Sequence, residues 1–87
     1  MQLVGQELGL PEDVAQQLAS QTALGAAQMA KNSDLSPAQL RKQVTSPGGT
    51  TERALSSFQD DNLDAIFRKA MKSAVAQAEQ MSKDFSA

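Results

Sequence analysis

The chain has 87 residues with 8 basic and 10 acidic side chains, so it is one domain at most and carries a formal net charge of −2. Charge this close to balance argues against nucleic acid or an anionic membrane as a partner. Cysteine and histidine are both missing, which excludes a disulfide framework, a thiolate metal site and the commonest general base. Because there is also no signal-peptide pattern and no apolar run of membrane-spanning length, we expect a cytoplasmic protein.

The apolar fraction is 40%, but it includes 14 alanines and neither tryptophan nor tyrosine. A chain this small leaves much of its surface exposed even when folded, and a core poor in large side chains makes that worse. We therefore expect a partner chain to supply part of the burial. The alternative is a marginally stable monomeric bundle.

Two helices are predicted in the first third of the chain. The first covers residues 1–8, and Gly9 stands where a C-terminal stop belongs. Its start lacks a cap and enters directly on an apolar pattern, which we interpret as a cut end. The second begins with Pro11 at its first position and ends near residues 31–32. Gly25 in its middle predicts a close helix crossing, and tolerated slack is the alternative.

Two shorter helices are predicted next. Ser-Pro-Ala-Gln at residues 36–39 fits a capping box and opens a helix over about 37–44. A fourth helix is predicted from near Thr51 to about Gln59. Asp-Asp-Asn at residues 60–62 then interrupts the pattern and offers the next N-cap.

The last predicted helix is the most regular element. Apolar residues recur at helical spacing from Leu63 to Phe85, which corresponds to a length of roughly 35 Å. The rest of so small a chain cannot cover a helix of that length, so we expect a symmetry mate along it. Arg68, Lys69 and Lys72 are interpreted as solvated surface. With no strand pattern in the sequence, the predicted fold class is all-α, with about five helices and a long C-terminal helix.

The segment from Val44 to Thr51 separates the two halves of this helical pattern. Pro47 and the pair Gly48-Gly49 exclude a helix here, because proline has no N–H and glycine readily adopts positive φ. Thr50 and Thr51 then supply hydroxyls and an N-cap for the fourth helix. Such a helix start, with unpaired N–H groups, suits a phosphate or carboxylate. The alternative is a plain turn, since the lysine and spacing of a nucleotide-binding P-loop are missing.

Three blocks of the sequence occur in an order that resembles one known family. They are Leu-Gly-Leu-Pro at residues 8–11, a small-residue block over residues 15–30, and Leu-Arg-x2-Val-Thr-Ser-Pro-Gly-Gly-Thr-Thr over residues 40–51. Followed by a long amphipathic helix, they resemble the C-terminal domain of pyrroline-5-carboxylate reductase. The third block is specific, whereas the first two would be weak evidence alone.

The resemblance implies both a fold and a function. Enzymes of this family reduce 1-pyrroline-5-carboxylate to L-proline with NAD(P)H, a step of proline biosynthesis. They have an N-terminal dinucleotide-binding domain and a helical C-terminal domain whose long helices interleave in a homodimer. Residues 1–87 would therefore form the dimerisation and substrate-binding domain. NAD(P)H would be bound by the domain that is absent from this chain, and no nucleic acid or membrane partner is implied.

The resemblance also assigns roles to residues of the glycine-containing loop. Ser46, Gly49 and Thr50 would bind the substrate carboxylate. Thr51 would be the catalytic contact to the imine nitrogen, and Val44 would line the substrate ring. No residue of this chain is expected to bind the cofactor or a metal.

Some features depart from the family pattern. The sequence has no G-x-G-x-x-G motif, so we expect a fragment or excised domain that is inactive alone. Asp-Asp-Asn at residues 60–62 stands where many members have a glycine-rich turn, and Glu52 where an apolar residue is common. Two alternatives remain: a free-standing helical homodimeric interaction protein, and a small carboxylate-binding module without a redox partner.

Overall fold

The computed structural model describes residues 1–86, which form five helices and no strand. Helices cover about 80% of the chain, which confirms the predicted all-α class and the long C-terminal helix. The chain divides into two compact units, one ending at Val44 and the other beginning at Thr45. The helices are α1 Gln2–Glu7, α2 Glu12–Asn32, α3 Pro37–Gln43, α4 Thr50–Asp60 and α5 Leu63–Ser86.

A tight turn joins α1 to α2 in the first unit. Gly9 has φ +107° and donates its N–H to the Gln6 carbonyl at 3.0 Å, so it ends α1 as predicted. Leu10 donates to the Gly5 carbonyl at 3.0 Å. Pro11 has φ −57° and ψ 151°, so it is the N-cap of α2 and not its first helical residue. Its extended ψ places it just outside the helix.

The contact between α1 and α2 depends on small side chains. Ala15 is 2% exposed and is the one buried hydrophobic residue among those described. A Cβ atom added to Gly5 would lie 3.4 Å from the Ala15 Cβ atom and from the Leu10 Cδ1 atom. By contrast, a Cβ atom added to Gly25 would meet nothing within 4 Å. The close crossing predicted at Gly25 is therefore not made within residues 1–86, and a close approach occurs at Gly5 and Ala15 instead.

The predicted capping box opens α3 with both of its hydrogen bonds. Gln39 donates its N–H to the Ser36 Oγ atom at 3.2 Å, and Ser36 donates its N–H to the Gln39 Oε1 atom at 2.8 Å. Pro37 occupies the first helical position, where its missing N–H removes no helical hydrogen bond. The sequence therefore determines the start of α3 locally.

In the second unit, a turn of two residues, Asp61 and Asn62, connects α4 to α5. Asn62 has φ +56°, a left-handed conformation that asparagine tolerates better than most residues with side chains. Its carbonyl accepts the N–H groups of Ala65 at 3.0 Å and Ile66 at 3.2 Å at the start of α5. A left-handed position here explains why a glycine-containing turn would serve equally well.

The apolar stripe of α5 is left uncovered. Phe67 is 62% exposed and Phe85 is 85% exposed, although both are large aromatic side chains. Phe67, Met71 and Val75 line an open groove along this helix, and charged residues flank it. The remaining side chains of the groove are Asp64, Arg68, Lys72, Ala76 and Glu79.

No helix within residues 1–86 combines the length and apolar character needed to cross a bilayer.

Candidate functional site

The segment that precedes α4 forms one closed turn. Gly49 donates its N–H to the Ser46 carbonyl at 2.9 Å, and Gly48 between them has φ +72°. The hydrogen bond joins the fourth residue of the turn to the first, Pro47 is the second residue, and the third residue has a positive φ. This is the pattern of a type II turn. Glycine is required at residue 48 because a side chain there would be strained.

Helix α4 begins without a capping side chain. Gly49 is the N-cap, with φ −84° and ψ 174°, and its carbonyl accepts the Arg53 N–H at 3.2 Å. The prediction that Thr50 or Thr51 caps this helix is therefore wrong, because these two threonines are its first and second helical residues. The extended backbone of Gly49 places the boundary one residue earlier. Since glycine has no side-chain oxygen, the first N–H groups of α4 are not capped.

The backbone N–H groups around the start of α4 fall into two sets, those that donate within the loop and those that do not. Those of both glycines are used within the loop, because Gly48 donates to the Glu52 Oε1 atom at 3.2 Å and Gly49 donates to Ser46. The N–H groups of Thr50, Thr51 and Glu52 make no hydrogen bond to another described residue. Three adjacent N–H donors at the positive end of an 11-residue helix can bind an anion.

The hydroxyls of the loop are also available to a ligand. Those of Ser46, Thr50 and Thr51 make no hydrogen bond within residues 1–86, and all three residues are exposed. Elsewhere in the chain, the Thr22 hydroxyl donates to the Leu18 carbonyl at 2.7 Å, and the Ser36 hydroxyl caps α3. The loop therefore combines bare N–H groups with free hydroxyls, which is a suitable donor set for a carboxylate.

The five predicted site residues do not all belong to the same unit. Ser46, Gly49, Thr50 and Thr51 lie in one continuous segment of the second unit. Val44 ends α3 in the first unit, donates its N–H to the Leu40 carbonyl at 3.2 Å and has an exposed side chain. The Gly49 N–H donates to the Ser46 carbonyl, so this donor is not open to a ligand.

The described residues offer little acid–base or metal chemistry. No group of three or more Asp or Glu side chains within residues 1–86 could hold a metal ion. The loop itself supplies hydroxyls and amides, which bind and orient a ligand better than they transfer protons. Glu52 makes a hydrogen bond with the loop that was not among the predictions from the sequence. Its carboxyl at the third helical position follows capping-box spacing, and that signal predicts a hydrogen bond back to the loop.

Comparison with known proteins identifies the relatives of this chain. The family model described as pyrroline-5-carboxylate reductase dimerisation matches residues 1–81. The pyrroline-5-carboxylate reductase of Pseudomonas aeruginosa is 46% identical over 79 residues, which is 91% of this chain and 29% of that protein. The enzyme of the same name from Pisum sativum is 44% identical over 82 residues, which is 94% of this chain and 29% of that protein.

Two solved structures also match most of this chain. The pyrroline-5-carboxylate reductase of Coxiella burnetii matches with a TM-score of 0.85 and 46% identity, covering 91% of this chain and 29% of that one. A Plasmodium falciparum pyrroline carboxylate reductase with NADP bound matches with a TM-score of 0.81 and 30% identity, covering 84% and 29% of the two chains. The chain thus spans less than a third of the length of these relatives. It belongs to the pyrroline-5-carboxylate reductase dimerisation family.

Proposed function

We propose that residues 1–87 are the dimerisation and substrate-binding domain of a pyrroline-5-carboxylate reductase, which reduces 1-pyrroline-5-carboxylate to L-proline with NAD(P)H. The observation that carries this proposal is the start of α4. There, a type II turn closed by Ser46 and Gly49 leads into uncapped N–H groups and free hydroxyls. A substrate with a carboxylate beside an imine nitrogen needs both kinds of donor.

Each loop residue has a distinct role in this proposal. Ser46 and Thr50 bind the substrate carboxylate through the hydroxyls and the Thr50 N–H, and Gly49 allows the carboxylate to approach the backbone. Thr51 directs its hydroxyl to the imine nitrogen, where it orients the ring and stabilises the protonated form. An aliphatic hydroxyl is a poor acid near neutral pH, so hydrogen bonding is its first role. Val44 lines the substrate ring.

The cofactor is bound elsewhere in the complete enzyme. A nicotinamide supplies the hydride that the imine carbon gains, but this sequence has no G-x-G-x-x-G motif and its described residues include no strand to carry one. We place NAD(P)H on a separate dinucleotide-binding domain. The domain that the chain forms is therefore expected to be inactive alone, and NADPH oxidation by the purified 87-residue chain would contradict this.

The partner in this proposal is a second copy of the chain. The exposed apolar stripe of α5 has the length, the large side chains and the charged flanks of a helix that packs against another helix. Interleaved α5 helices in a homodimer would cover it. We further propose a cytoplasmic enzyme with neither nucleic acid nor membrane as partner, in keeping with the near-balanced charge.

The substitution Thr51→Val tests the catalytic assignment. Valine keeps the shape of threonine and removes the hydroxyl, so kcat/KM of the complete reductase should fall by about 10–100-fold, equivalent to about 1–3 kcal/mol. Thr51→Ser should keep most of the activity. The melting temperature should change little, because the Thr51 hydroxyl makes no hydrogen bond within the described chain. Normal kcat/KM in Thr51→Val would end the assignment.

The substitution Phe67→Ala tests the dimer. If Phe67 is buried by a second copy, removing its ring should destabilise the dimer by about 3–5 kcal/mol per protomer, whereas an exposed ring would cost little. Sedimentation equilibrium on the chain and its variant measures the shift toward monomer. Lys69→Ala, which lies on the opposite side of α5, is the matched control. A well-folded monomer of the unsubstituted chain at micromolar concentration would contradict the dimer.

A further inference from the structure

Two hydrogen bonds hold the loop in front of α4. The Gly49 N–H donates to the Ser46 carbonyl at 2.9 Å, and the Gly48 N–H donates to the Glu52 Oε1 atom at 3.2 Å. The first bond closes the type II turn from the backbone alone. The second joins the left-handed residue of that turn to a side chain of α4. The Glu52 side chain therefore fastens this turn to the helix.

The spacing explains why glutamate can reach Gly48. Glu52 is the third residue of α4, the position from which a capping-box side chain reaches back. In α3 the corresponding Gln39 bonds to the N-cap N–H of Ser36. In α4 the N-cap N–H of Gly49 already donates to Ser46. The Glu52 carboxylate bonds one residue further back, to Gly48.

This arrangement separates the N–H groups by task. Both glycine N–H groups maintain the loop, so the N–H groups open to a ligand carboxylate are those of Thr50, Thr51 and Glu52. The direction of these N–H groups relative to the loop depends on how the turn enters the helix. A free Gly48 would let the turn move, because glycine has the widest choice of backbone conformations.

We propose that Glu52 is a positioning residue for substrate: its side-chain oxygen, by accepting the Gly48 N–H, fixes the turn so that Thr50 and Thr51 meet the substrate carboxylate and ring. This inference rests on the proposed function as a reductase. Glu52 contacts no reacting atom in this role. It acts through the backbone of the loop, and what matters is the reach of its hydrogen-bonding oxygen rather than its charge.

Three substitutions at Glu52 separate reach from charge in the complete reductase. Glu52→Gln removes the charge and keeps an oxygen at the same distance along the side chain. Glu52→Asp keeps the charge, but its side chain is one methylene shorter and cannot reach the Gly48 N–H. Glu52→Ala removes both the charge and the hydrogen-bonding oxygen. We expect the KM for pyrroline-5-carboxylate to rise by about 10-fold in the Asp and Ala variants and to stay within about 3-fold of the original in Gln. The value of kcat and the KM for NADPH should change little.

A matched control comes from the start of α2. Glu12 also lies in the first turn of a helix and makes no side-chain hydrogen bond with another described residue. Glu12→Ala removes the same favourable interaction with a helix N-terminus. It should lower the melting temperature about as much as Glu52→Gln does and leave the KM for pyrroline-5-carboxylate unchanged.

The outcomes separate this inference from the proposed function. If the unsubstituted enzyme does not reduce pyrroline-5-carboxylate, the proposed function fails. If it does, and Asp and Ala keep the original KM, the positioning role of Glu52 is wrong. A KM that follows charge, so that Gln resembles Ala while Asp resembles the original, also overturns the inference. Should Glu52→Ala not fold, the Asp and Gln pair still decides.

Discussion

Helices α3 and α4 begin in opposite ways. At the start of α3, Ser36 and Gln39 satisfy one another's backbone N–H groups. At the start of α4, Gly49 has no side chain, and the carboxyl group three residues on bonds outside the helix to Gly48. The first arrangement uses its donors for stability, and the second leaves donors open. This contrast shows that a helix start without a capping side chain keeps N–H donors open, and open donors at a helix start can bind an anion.

Of the changes expected at these two helix starts, the larger comes from giving α4 the cap that it lacks. In Gly49→Ser, the added hydroxyl accepts the N–H of Thr51 or Glu52, as an N-cap serine does. The complete reductase should then bind pyrroline-5-carboxylate more weakly, with KM raised about 10-fold for the loss of one donor. Because serine caps only slightly better than glycine, stability should change by only a few tenths of a kcal/mol.

Gly49→Ala is the control for the Gly49→Ser substitution. It adds the same Cβ atom, which would lie 3.1 Å from the Ser46 carbonyl oxygen, without adding a hydrogen-bond acceptor. The difference in KM between the Ser and Ala variants therefore measures the effect of the cap and excludes crowding of the turn. Equal KM values in these two variants would contradict the contrast between the two helix starts, because capping the N–H donors of α4 would then have no effect on substrate binding.

Much of this fold could be predicted because its signals are local. The capping box at residues 36–39 and the stop at Gly9 each depend on neighbours within a few residues, and both are confirmed. The helical spacing of apolar residues along α5 is equally visible in the sequence. The N-cap of α4 was placed on a threonine and lies on Gly49. Threonine is the commoner cap, but the type II turn fixes Gly49 in an extended conformation first.

The candidate site was harder to predict than the helices. Which N–H groups remain open depends on the Gly48–Glu52 and Gly49–Ser46 hydrogen bonds, and these require the backbone geometry of the turn. Burial shows a similar limit. Apolar periodicity identified the stripe of α5, but Phe67 remains 62% exposed in the chain. A pattern can show that a face needs covering without showing which surface covers it.

The smallest expected effect comes from removing the cap of α3. Ser36→Ala deletes the acceptor of the Gln39 N–H and should lower the free energy of unfolding by about 1 kcal/mol, while Ser36→Gly should cost less. Urea denaturation at one fixed protein concentration measures this change, since a dimer's stability depends on concentration. The kcat/KM of the folded enzyme should not change, because these donors serve only the helix. A fall in kcat/KM with Ser36→Ala would mean that the capped start also contributes to substrate binding, and the functional contrast between the two helix starts would fail.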